Sequence, residues 1–145
     1  TWVVNSAVFA AILIMILLAN LFVLKMRPGK LSPFFILLFL SLAVNVFVPM
    51  ETFLGMSGAA RTVSSCAVTF VPIFFAGVIF AMSFRESKEQ NLDFGSNIAG
   101  AMLGGLCEYL SLLFGFNYLL LVAIAFYGAA FALKPSLKAQ SVATD

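Results

Sequence analysis

Glu51, Arg61 and Glu108 are the ionisable residues that fall at or inside the long apolar runs of this sequence, and Asn45 is an amide in the same setting. Burying a charge in hydrocarbon is expensive, so such groups either pair or mark a route for an ion or proton. Side chains lean toward the amino-terminal end of their own helix. Arg61, near the start of its segment, therefore leans outward and reaches Glu51 more easily than Glu108. The expectation is a Glu51–Arg61 ion pair joining two neighbouring helices; the alternative makes the pair the mouth of a polar path leading to Glu108. Glu108 itself is expected to be a neutral carboxyl that hydrogen-bonds a neighbouring helix through Asn45, Tyr109 or a backbone carbonyl. A proton relay would instead show further acids or histidines in series. This sequence holds no histidine at all.

The missing imidazole removes the usual ligand of a b-type haem and the base of a histidine-dependent triad. Neither a carboxylate pair nor the Cys/His spacing of a metal site is present, and no Gly-rich phosphate loop follows a strand. Cys66 and Cys107 sit singly in separate apolar segments and read as small hydrophobes. At similar depths they could touch if their helices packed closely. A net charge of +2, with the basic residues dispersed, offers no surface for nucleic acid. The chain is expected to be no enzyme by itself and to need no cofactor; a lipid, pigment or quinone in its grooves would leave no signature here.

The elements that hold these groups follow from composition. Of the 145 residues, 63% are hydrophobic and 10% charged, against about a quarter charged in soluble domains, and the mean hydropathy is +1.11. The expectation is an all-α polytopic transmembrane bundle forming a single membrane domain, in contact with the lipid bilayer. Trp2 opens the first run with no basic stretch ahead of it, which does not fit a signal peptide. A chain that starts at Thr1 is expected to be a processed product or a piece of something longer.

Five helices are expected, over residues 2–26, 31–55, 61–84, 95–114 and 118–133, followed by a polar tail, 134–145. Pro33 stands in a first turn, where a missing N–H costs little, whereas Pro49 should kink or end the second helix. Pro72, in mid-helix, frees the carbonyl of Val68 one turn back, which Thr69, a neighbouring helix or a water must satisfy. Asp93 is a candidate N-cap for the fourth helix. The short link through Gly115 makes helices four and five an antiparallel hairpin. Of the eight basic residues, all but Arg61 fall on one side of the membrane when sides alternate. This predicts an amino terminus outside and a carboxyl terminus in the cytoplasm.

Ser96, Gly100, Gly104 and Glu108 recur every fourth residue, so one face of the fourth helix carries three small residues and the acid, with Gly105 beside them. Ala125, Gly128, Ala129 and Ala132 give the fifth helix a small-residue face of its own. In lipid, helices associate by close backbone approach, and small residues permit it. These faces are expected to dock against each other or against a larger complex.

The runs Pro49-Met-Glu-Thr-Phe-Leu-Gly, Val71-Pro-Ile-Phe-Phe-Ala-Gly, Phe84-Arg-Glu and Gly95-Ser-Asn-Ile-Ala-Gly-Ala-Met-Leu-Gly-Gly-Leu-Cys-Glu-Tyr-Leu-Ser together resemble the membrane portion of bacterial multi-pass spermidine-synthase-like proteins. The likeness covers residues 49–133, and Gly104, Gly105 and Glu108 to Ser111 are its most telling part. It implies a module of the bacterial cytoplasmic (inner) membrane. In that family such helices accompany a soluble aminopropyltransferase domain, which these residues do not include, so the resemblance brings no catalytic residue with it. The expected function is a non-catalytic integral membrane subunit packing into a larger complex. Its alternatives are part of a small-solute or proton transporter using Glu108, and a membrane anchor for a spermidine-synthase-like enzyme.

Overall fold

The computed structural model describes residues 2–48, 52, 55 and 57–133, and these form five α-helices with no strand among them. They are α1 (Trp2–Met26), α2 (Ser32–Phe47), α3 (Gly58–Glu86), α4 (Gln90–Phe114) and α5 (Phe116–Leu133). Three of them, α1, α3 and α4, are long and apolar enough to cross a membrane. The other two are shorter, at 16 and 18 residues. The 16 residues of α2 rise about 24 Å, against a hydrocarbon core of about 30 Å.

The early end of α2 corrects the expected range 31–55 and has a local cause. Val48, the C-cap, is extended at φ −102°, ψ 101°. It precedes Pro49, and the proline ring disfavours helical geometry at the residue before it. Pro33 occupies the first turn, where its missing N–H was never needed. The start of α4 is a second correction. The helix begins at Gln90 with Glu89 at the cap, so Asp93 lies inside the first turn and donates its N–H to the Glu89 carbonyl at 3.1 Å. Ser87 Oγ accepts the N–H of Glu89 at 3.1 Å and so ends the loop sooner than its polar composition suggests. At its amino-terminal end α3 is longer than expected. Arg61 is already helical, its N–H on the Ser57 carbonyl at 2.9 Å.

The packed pairs are α1 with α3, α2 with α3, α2 with α5, and α4 with α5. The centre is therefore α3 and α2, with α1 at one end of the series of packed helices and α4 at the other. Two buried clusters hold the bundle. One joins Ala19 and Val23 of α1 to Val78 and Met82 of α3, bordered by Phe22, Phe34 and Phe74. The other joins Phe35, Leu38 and Leu42 of α2 to Ile79 of α3, with Leu120, Ile124 and Tyr127 of α5 packed against it. Phe22 sits edge-on to both Phe34 and Phe74, each at 6.0 Å between ring centroids, so one ring ties three helices together.

Two turns fix the connections at opposite ends. Arg27 closes α1 in the left-handed region at φ 42°, its N–H on Val23 O at 3.0 Å, an ending more often given to glycine. Gly115 alone separates α4 from α5, at φ 86° and ψ 168°, a conformation that only glycine adopts without strain.

Candidate functional site

The small-residue face of α4 is open. No residue of α4 is buried, and a Cβ built on Gly100, Gly104 or Gly105 would meet nothing within 4 Å. Ser96 is exposed and donates its hydroxyl to the Leu92 carbonyl of its own helix at 2.7 Å. Along the same helix Met102, Leu106, Leu112 and Leu113 stand 69%, 64%, 82% and 78% exposed, so apolar side chains project on several sides. On α5, Ala125, Ala129 and Ala132 are exposed, and Gly128 is half-buried with nothing within 4 Å of its would-be Cβ. The two small-residue faces therefore do not nest against each other. The contact of α5 with α2 is made by larger side chains, including Phe131 at 5.2 Å from Phe35.

Glu108 is exposed on α4 beside a pocket of about 250 Å³ bounded by Tyr109, Ser111 and Leu112. Its carboxylate has no hydrogen bond or ion pair among the described residues, and its backbone carbonyl accepts the Ser111 hydroxyl at 2.6 Å. The expected bond to Asn45 is not made. Asn45 instead spends both amide hydrogens elsewhere, on the Ser41 carbonyl at 2.9 Å and the Val68 carbonyl at 2.8 Å. Val68 O is the acceptor stranded by Pro72, so of the three partners open to it, the neighbouring helix supplies one. Arg61 is exposed in the first turn of α3. Glu51, its expected partner, lies outside the described residues, as do Pro49 and the tail.

Cys66 and Cys107 are both free thiols, on α3 and α4, two helices that are not among the packed pairs. No group of three or more Cys, Asp or Glu that could hold a metal ion occurs among the described residues.

At the other end of the bundle, Arg85 donates from Nη2 to the Pro28 carbonyl at 3.2 Å and pairs with Glu86 at 3.5 Å. This bond brings the α1–α2 turn, with Lys25, Arg27 and Lys30, beside the α3–α4 loop, with Lys88. Arg61 lies at the opposite end.

The close backbone contact that the bundle does make was not singled out by sequence pattern. A Cβ on Gly77 of α3 would lie 3.0 Å from the Ala19 Cβ of α1 and 3.9 Å from the Ile16 Cα, and Ala19 is fully buried. The available signal was a lone glycine inside an apolar run, without a second small residue four positions away on the partner helix.

Comparison with protein-family models, with curated proteins and with solved structures returned no match to the chain.

Proposed function

We propose that this chain is a non-catalytic integral membrane subunit whose α4 helix docks into a larger membrane protein complex. One observation carries the reading. A 25-residue apolar helix contributes no buried residue to its own bundle, while Gly100 and Gly104, one turn apart, leave room for another backbone. Lipid tails are as apolar as leucine, so exposure to lipid alone costs such a helix little. Small residues gain from a second helix what they cannot gain from lipid, because only backbone approach yields contact there.

The orientation belongs to the same proposal, with α2 and α5 completing five crossings, the amino terminus outside and the basic turns in the cytoplasm. The Arg85–Pro28 bond supports it by joining two basic connections at one end of the bundle. Shorter helices such as α2 can be accommodated by local thinning of the bilayer or by snorkelling of flanking residues. The bacterial cytoplasmic membrane is the setting that the likeness to spermidine-synthase-like membrane segments suggests.

The test is to solubilise the native membrane gently, isolate the chain, and identify by mass spectrometry what accompanies it. Recovery in a stoichiometric assembly of other membrane subunits is expected, with Gly104→Leu releasing the chain from it. Recovery as a lone monomer, or joined to a soluble catalytic domain, overturns the reading.

A further inference from the structure

Helix α3 is built as two unequal parts. Its buried residues, Pro72, Val78, Ile79 and Met82, all lie at or beyond the proline. The ring contact to Phe22 and the backbone approach to Ala19 fall there too, at Phe74 and Gly77. Residues 58–71 contain no buried side chain, and Ser64, Ser65, Val68 and Phe70 are half-buried at most. The helix runs unbroken through Pro72, but the proline has no N–H to offer Val68. The missing bond lies where the well-packed part of α3 meets the loosely packed part. Across that gap, Asn45 of α2 donates to the Val68 carbonyl at 2.8 Å, and its other amide hydrogen on Ser41 O holds the donor in place.

We propose that Asn45 is a latch on a hinge at Pro72. With the latch closed, the arm formed by residues 58–71 lies against α2. With it open, the arm swings on Pro72, the Val68 carbonyl loses its donor from α2, and Arg61 at the tip of the arm moves away from α2. A proline is one of the few places where a helix bends sharply, because no backbone hydrogen bond resists the bend. The side-chain bond from α2 takes the place of the missing one.

The native thiol of Cys66 stands exposed on the arm and reports its position. With Cys107→Ser to leave it alone, and Leu40→Cys on the exposed side of α2, spin labels on the two thiols read the distance between arm and α2 in lipid nanodiscs. Cys66 is about 9 Å from Pro72 along the helix, so a swing of about 30° moves it by about 5 Å. The parent is expected to give one narrow distance, and Asn45→Leu a broad distribution with a second population displaced by about that amount. Pro72→Ala restores an N–H for Val68 O, so adding it to Asn45→Leu is expected to return the narrow distance. An unchanged distribution in Asn45→Leu overturns the latch. Equal broadening in the Pro72→Ala background overturns it as well, because Asn45 would then act through some other group. Should Asn45→Leu alone fail to fold, recovery of folded protein by Pro72→Ala supports the latch, and failure of the double variant overturns it.

Discussion

Two places in this molecule offer a small residue to a neighbouring helix, and they end differently. At Gly77 the offer is taken: Ala19 fills the space, its Cβ 3.0 Å from where a Gly77 Cβ would be, and the seam between α1 and α3 is closed. At Gly100 and Gly104 the same chemistry stands open, with nothing within 4 Å. The glycines do not differ in kind. They differ in whether the fold brings a second backbone to them. The contrast teaches that a small-residue face in lipid is permission for contact and not a cause of it. At Gly77 the permission is used internally, by a helix held in place through Phe22 and Val23; on α4 no helix of the described residues takes it up.

The strongest way to break this comparison is to fill both faces. Gly77→Leu forces a branched side chain into the Ala19 contact and is expected to cost about 3 kcal/mol, the upper end of ordinary overpacking, read as loss of folded protein in a denaturation series in micelles. If Gly77→Leu unfolds no more readily than the parent, the seam does not hold the bundle. Next is Gly115→Ala, which leaves both faces intact but strains the single residue between α4 and α5. A cost of about 2 kcal/mol is expected from the φ of 86°, measured in the same series, and the α1–α3 seam should keep its protection from hydrogen exchange. Gly104→Leu should change the stability of the isolated chain by less than about 0.5 kcal/mol, since its neighbourhood is empty, yet abolish assembly in sedimentation. Sedimentation identical to the parent would remove the docking claim. The smallest effect is expected from Glu108→Gln. Glu108 makes no side-chain hydrogen bond or ion pair among the described residues, so an amide of the same shape should leave the complex intact; its collapse would mean that a partner holds the carboxyl group.

The five helices were legible because apolar runs of this length, separated by Lys25 to Lys30 and by Arg85 to Asp93, leave few other choices. The need of Val68 for a partner was legible too, since Pro72 removes a donor whatever surrounds it. Which partner answers it was not. That depends on the register of α2 against α3, and no local pattern sets the register between helices distant in sequence. The same gap concealed Gly77. Its stripe on α3 runs through Ile73 and Ala81, which lacks the repeated glycine that draws the eye to Gly100 and Gly104. The helix ends differ from expectation by a few residues where the decisive force acts on a neighbour: Pro49 stops α2 through Val48, and Ser87 starts α4 through Glu89. Sequence pattern places Asn45 among partners for Glu108 because both are polar groups in apolar runs, yet its amide hydrogens go to the Ser41 and Val68 carbonyls.

The chain of packing partners also sets an order of manufacture. The cluster around Ala19, Val78 and Met82 draws on α1 and α3, bordered by residues of α2, and is complete in composition once residue 86 has been synthesised. The second cluster must wait for Leu120, Ile124 and Tyr127. Helix α4 leaves the ribosome between the two, before α5, its packing partner within the chain, exists. It therefore enters the bilayer as a solitary helix or waits to enter with α5 as a hairpin folded at Gly115. In either case α4 meets the membrane with its small-residue face uncovered by the rest of the chain.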